Sequence, residues 1–394
     1  MQTGEMESSE ADQSILWRQV WGLAALLAAI VMSWIAYGLY QPKVLVQLGF
    51  LQLASSLGVM QGLLGAVIEP MVGAYSDRIM QRLGNRLPII SVGVTLAGLL
   101  FVATAVALRI ELPSGWRWLI PVMMTLWVIA MIIFRGPAIA LLRQFAPVKA
   151  LPQANAVLTL VFSLAASLGP ILGELLDRLG ASLTFVAGAI VLMAAATVLY
   201  RALPRHTIAT LPVVDTVPYD RLRSALTFLV GLGVGSDLNL LLETVPKTAN
   251  LQLPLVTTGW IASGVLLIAA ITALPLGQIV AKLGSKSAMM TGLGAIAISL
   301  GLSTQVGSPE LAIANIVIAG SSFGLVLISM VPYALELVPL SQAGWSTGLY
   351  FGGAGLSGVI VPYLAGSLPT LVAASIAIAI VTIIVIAAVQ SHPA

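Results

Sequence analysis

The stretch "YSDRIMQRLGNR" places Asp77, Arg78, Arg82 and Arg86 within ten positions of a chain that is otherwise almost free of charge. A carboxylate at a helix end beside guanidinium groups suits an ion-pair network that holds helices together until it breaks, a two-state element. In this reading Asp77 is the anchor, Arg78 and Arg86 are its partners, and Gly73 and Gly84 complete the gate. A competing reading makes the arginines topogenic residues on the anionic-lipid side of a bilayer. It explains Arg78, Arg82 and Arg86 but requires neither Asp77 nor Gly73.

Ionisable residues inside apolar runs are costly, which makes them functional candidates by default. Asp237, in "GLGVGSDLNLLLETVPK", and Arg135 each lie near the middle of such a run. They are candidates for substrate or ion binding; the alternatives are a static buried pair or separate snorkelling groups. Asp237 is the first candidate for ion coupling and Glu69 the second. Ser33, Tyr37 and Tyr40 recur at near-helical spacing and are followed by Gln41; Asn155, Asn239, Tyr333 and Tyr350 are further polar candidates. The set is compatible with a polyol, and equally with packing and anchoring of spans. Glu243 and Lys247, four apart, read as a same-face ion pair. Enzyme chemistry finds little here: the histidines are His206 and His392, and cysteine is absent. That leaves no plausible zinc site, metal site or His-assisted nucleophile, and no cofactor is expected. The glycines of "GLGVG" fit helix packing better than a nucleotide cradle, which needs a preceding strand.

The elements that must position these groups follow from composition. Of 394 residues 59% are hydrophobic and 8% charged, with a mean hydropathy of +1.02, whereas soluble chains are about a quarter charged. The chain reads as an all-α integral membrane protein, since a backbone in lipid must satisfy its own hydrogen bonds. Twelve spans are expected, at about 17–41, 50–76, 88–108, 118–146, 152–176, 182–203, 221–247, 255–281, 288–306, 310–337, 343–367 and 369–391. With the N-terminus inside, twelve basic residues fall on the cytoplasmic side, and five, Lys43, Arg109, Arg117, Arg178 and Lys247, fall outside. This places both termini in the cytoplasm and the protein in an inner or plasma membrane. The net charge of +3 is too small to argue for nucleic acid, and none is expected as a partner. The expected partners are the bilayer and a small-molecule substrate, with the protein a monomer. Residues 1–16 form an acidic cytoplasmic tail without the basic region of a signal peptide. A linker at 204–220 divides two bundles of six helices, 17–203 and 221–394. Each half repeats a landmark: Leu283, Gly284 and Lys286 echo Leu83, Gly84 and Arg86. Such duplication marks paired bundles that rock about a central site.

The segment "GAYSDRIMQRLGNRLP" resembles the signature loop of the major facilitator superfamily. Its spacing is similar to that of the branch containing sucrose/proton symporters and glycoside-pentoside-hexuronide transporters. "SWIAYGLYQPKVLVQLGF" and "RGPAIALLRQFAPVKALPQANAVLTLVFSLAASLG" are similar to the same branch. The resemblance implies two pseudo-symmetric six-helix bundles and an alternating-access transporter of a small organic solute, with a sugar or glycoside as a candidate. It also implies a cavity lined by the first, fourth, seventh and tenth helices, across which Arg135 and Asp237 would face one another. Where that branch carries a proton-coupling Asp in the fourth helix, this chain has Gln144. Proton coupling would therefore use another carboxylate, and uniport or exchange stays open. Relatives of the branch in photosynthetic bacteria resemble pigment-delivery or light-harvesting assembly factors. Either that role or movement of a hydrophobic compound is the alternative.

Overall fold

The computed structural model describes residues 14–110, 112–203, 220–364 and 368–389. Most of the acidic tail and of the 204–220 linker, with His206 and His392, lies outside the described residues. The long helices are α1 Trp17–Gln47, α2 Leu51–Leu83, α3 Leu87–Arg109, α4 Leu119–Ala140, α5 Leu151–Ser167, α6 Ala181–Ala202, α7 Arg221–Gln252, α8 Thr258–Leu283, α9 Ser285–Ser303, α10 Pro309–Glu336, α11 Ala343–Ile360 and α12 Leu368–Val389. Ten helical stretches among the described residues are long and apolar enough to cross a membrane. The expectation of twelve spans is thus met at ten. α11 falls short because Gly and Ser dilute its apolar residues, and α9 because Lys286 in its first turn adds to the same dilution.

Several expected boundaries move, each for a local reason. The helix expected at 152–176 breaks at Leu168 and resumes as Gly169–Leu179, since Pro170 cannot supply a backbone donor and biases the residue before it away from helix. The helix expected at 118–146 ends at Ala140, one turn after Pro137, and gives way to the short turn Leu142–Phe145. The one expected to reach 367 stops at Ile360. α1 runs through Pro42 and ends only before Gly49, whose φ of 87° suits glycine.

Val67, Leu99, Ile190, Ile271 and Ile384 point outward and are exposed, as an oily solvent allows. Exposed Trp17 and Trp21 mark one end of the bundle, and Trp116, Trp118 and Trp260 the other, the positions of interfacial aromatic belts. The end where α1 begins is called the N face below. The interior holds two main hydrophobic clusters. One draws almost wholly on residues between Val20 and Leu199; the other runs from Val230 to Ile386. Tyr37, Trp127, Phe101 and Phe185 stack in series within the first, with successive ring centroids 4.6, 4.4 and 5.1 Å apart. α2 lies along α11 and α5 along α8, so these two contacts join the parts of the chain that hold the two clusters.

Candidate functional site

Two features stand out where those parts of the chain meet: a fastening at the N face and a cavity deeper in. The fastening starts from Gly84, whose φ of 72° closes α2 and turns the chain so that Arg86 folds back towards it. Arg86 Nη1 donates to Asp77 Oδ1 at 2.6 Å, and both side chains are wholly buried. Asp77 does not stop there. Its two oxygens accept from the backbone N–H groups of Gly344, at 2.8 Å, and Trp345, at 2.7 Å. These are orphan donors of the first turn of α11, so Asp77 caps a helix some 270 residues away in sequence. Its negative charge also meets the positive end of that helix dipole. Arg86 completes the joint by donating to Ser76 Oγ at 3.1 Å and to the Leu340 carbonyl at 3.2 Å. The approach is close enough that a Cβ on Gly344 would stand 2.6 Å from the Gly73 carbonyl oxygen and 2.8 Å from Asp77 Oδ1.

The gate residues expected from sequence therefore converge, with one correction. Arg78 is exposed beside a lateral groove that also includes Tyr75 and Trp345, and it is not one of the cations on Asp77. The donors on α11 were missed, because a backbone N–H leaves no trace in residue type.

The cavity has a volume of about 800 Å³, inside the range of small-molecule sites. It is walled by α1, α4, α5, α7, α10 and α11, and thirteen of its seventeen lining residues are apolar. Arg135, Asn155, Thr159 and Asn239 are the polar exceptions. Asn155 donates to the carbonyls of Leu327 and Ile328 on α10, at 2.9 and 2.8 Å. Asn239 donates to Gly235 and to Ser357 Oγ, both at 2.9 Å. Their amide donors are thus committed to structure. Arg135 projects from α4, ion-pairs with Glu69 on α2 and lies 5.3 Å from the centre of the Phe351 ring. Glu69 is buried, and its Oε2 has no hydrogen-bond partner among the described residues.

Of the nine binding candidates, the cavity gathers Arg135, Asn155 and Asn239. The others face elsewhere for reasons of helical phase. Asp237 sits two residues from Asn239, about 200° around the helix. It therefore joins the stripe of Val230, Val234, Leu241 and Val245 inside the second cluster, and neither carboxylate oxygen has a hydrogen-bond partner among the described residues. It does not face Arg135, whose partner is Glu69. α1 turns Leu27, Ile30, Val31 and Trp34 to the cavity and Tyr37 and Tyr40 into the first cluster. Tyr37 accepts from Gln61 at 2.6 Å, and Tyr40 donates to the Leu176 carbonyl at 2.6 Å. Ser33 and Gln41 are buried on α1 outside the cavity lining. Tyr333 and Tyr350 belong to the second cluster, with hydroxyls lacking a hydrogen-bond partner among the described residues. Sequence reasoning missed Trp34, Phe162 and Phe351, which as apolar residues look no different from core.

No family model and no curated protein matches the sequence. Solved structures do. A human organic anion transporter, MFSD10 (TETRAN), matches with a TM-score of 0.74 and 15% identity, covering 95% of this chain and 100% of that one. A bacterial homologue of the iron transporter ferroportin, in an outward-facing state, gives 0.72 and 17%, covering 96% of this chain and 100% of that one. A bacterial homologue of ferroportin with soaked iron gives 0.67 and 16% over the same shares. At these identities the likeness is one of fold: an all-α membrane fold shared with these transporters. The structures matched are transporters rather than enzymes. None of the similarities supports the narrower sucrose and glycoside branch.

Proposed function

We propose that the chain is a secondary transporter that moves a small organic solute across a membrane by alternating access. The carrying observation is the cavity, walled by helices of both halves and set beside a breakable charged joint between them at the N face. In this reading twelve spans form bundles 17–203 and 221–394, and the basic residues put the N face in the cytoplasm. Asp77, Arg86, Gly73 and Gly84 close that face, and the bound solute rests against Arg135 and Asn239. Asn155 braces the wall. Glu69 replaces Asp237 as the leading coupling group, because it touches the cavity through Arg135.

The lining favours a less polar cargo than a sugar. A sugar needs many hydrogen-bond partners at once, and the amide donors here are already spent on backbone carbonyls and Ser357. The fold neighbours suggest two cargoes, organic anions and iron. Among the described residues no group of three or more His, Cys, Asp or Glu could hold a metal, whereas Arg135 offers an anion a cation. Apolar walls also favour the second reading, a hydrophobic compound as cargo.

Uptake of a panel of labelled amphiphilic solutes into proteoliposomes tests the proposal. Saturable flux that vanishes in Asp77→Asn is expected. Absence of flux for the whole panel, in a preparation that arrives with bound tetrapyrrole, would replace transport with pigment delivery.

A further inference from the structure

The cavity lining holds one cation, Arg135, and that cation is paired with a carboxylate of the chain itself, Glu69, which lies behind the lining. A guanidinium facing apolar walls is costly unless its charge is met, and a carboxylate is the geometry it meets best. The Phe351 ring, 5.3 Å from the guanidinium centre, further restricts its orientation. We infer that the cavity takes an amphiphilic organic monoanion whose charged group displaces the Glu69 carboxylate from Arg135, an assignment that rests on the transport reading above. Glu69 is then the built-in stand-in for the ligand's head, and the apolar wall from Leu27 to Trp34 receives its body.

Displacement has a charge consequence. Glu69 is 4% exposed and its Oε2 already lacks a partner, so without Arg135 it would be a lone buried carboxylate. Arg135 is the one charged group paired with it among the described residues. α11 packs Gly348 against the Glu69 backbone, and the next charge along α2, Asp77, lies two turns away and is paired with Arg86. A carboxylate so placed takes a proton rather than remain ionised. The balance is R–COO⁻ plus H⁺ giving R–COOH at Glu69, with no other bond changed. Empty, the site holds Arg135⁺ and Glu69⁻; loaded, it holds Arg135⁺, the anion and neutral Glu69. Its net charge is unchanged, and each anion enters with one proton.

The test uses the full chain in detergent and in proteoliposomes, with octanesulfonate, octanamide and octylamine as probes of matched length. Octanesulfonate is permanently ionised, so any proton taken up on binding goes to the protein. Wild type is expected to bind the sulfonate at least about tenfold tighter than the amide or the amine, and to take up about one proton per sulfonate in a weakly buffered dye assay. Glu69→Gln is expected to bind the sulfonate about tenfold tighter, its competitor gone, with no proton uptake. Should Arg135→Gln fail to fold beside an unpaired Glu69, the double variant Arg135→Gln/Glu69→Gln keeps the pair neutral and must lose the preference for the sulfonate. Equal affinity for amide and sulfonate, or proton uptake unaltered in Glu69→Gln, would overturn the assignment. Flux of the neutral amide without anion preference sinks this inference and leaves transport standing. Sulfonate binding with proton uptake but no flux does the reverse.

Discussion

The two long seams between the parts of the chain that hold the two clusters are built from opposite materials. Along α2 and α11 the joint is ionic: Asp77, held by Arg86, caps the first turn of α11. Along α8 and α5, Leu283, Gly284 and Lys286 echo Leu83, Gly84 and Arg86, and the same offset puts Gly277 where Asp77 stands. There the contact is packing. A Cβ on Gly277 would collide with Ala156 and lie 3.5 Å from the Pro152 carbonyl oxygen. The reason is visible at the helix start: α5 carries Pro152 in its first turn, and proline has no N–H to offer a carboxylate. Asn155 fastens this side instead, reaching the carbonyls of α10. A charged joint has two well-separated states, made and broken, whereas a packed glycine seam tolerates only small sliding. If the chain works by alternating access as proposed, the asymmetry suits one seam to switching and the other to holding.

Removing the charged joint is the most severe way to break that contrast. Asp77→Ala leaves Arg86 buried without its counter-ion and two α11 donors without an acceptor, a loss of about 3–5 kcal/mol. SDS-titrated unfolding in mixed micelles should show it as a lowered midpoint. Because the chain has no cysteine, Ser341→Cys, next to the Leu340 carbonyl that Arg86 holds, reports the joint directly; its labelling should rise sharply in the Asp77→Ala background. An unaltered midpoint together with unaltered labelling would mean that the ionic joint holds nothing.

The converse substitution sharpens the comparison. Gly277→Asp places a carboxylate at the echoed position but finds Pro152 in place of one of the two donors. It should therefore destabilise by about 3 kcal/mol instead of creating a second latch. The same unfolding titration decides, and a stabilised Gly277→Asp would show that donors, not duplication, had been misjudged.

These joints also show how far the sequence could be read. The all-α membrane character, the anchor role of Asp77 and the partnership of Arg86 were legible because charge in an apolar chain is conspicuous. Glu69 and Arg135 were each singled out, yet their pairing was not legible, since it joins α2 to α4 and no local spacing encodes it. Asp237 misled through the reverse problem. Being charged and mid-span it looked like a cavity residue, while a two-residue step around α7 gives the cavity to Asn239. The same phase ambiguity turned Tyr37 and Tyr40 inward. Trp34 and Phe351 could not be found at all, because an apolar cavity wall and an apolar core are made of the same residues. Ten qualifying spans instead of twelve repeat the point: glycines that let α11 press against α2 also make it look too polar to span.

Smaller effects separate the seams further. Asn155→Ala removes two hydrogen bonds to α10 but strands no charge, and within a membrane such bonds are worth about 1 kcal/mol. The unfolding midpoint should fall by a fraction of the Asp77→Ala shift, while labelling at Ser341→Cys stays as in wild type. Equal labelling in the two variants would mean that the seams open together and that the division between switch and holder is false.

The least disruptive change discriminates between the two meanings of the basic loop. Arg78 shares the signature with Arg86 but lies exposed beside a lateral groove, away from the Asp77 cap. Arg78→Gln should alter stability by no more than about 0.5 kcal/mol and leave Ser341→Cys labelling unchanged, whereas Arg86→Gln should behave like Asp77→Ala. If topology alone explained the arginines, the two substitutions would be interchangeable, since each removes one positive charge from the same loop. A large labelling change in Arg78→Gln would return it to the joint and require a second arrangement in which its guanidinium reaches Asp77.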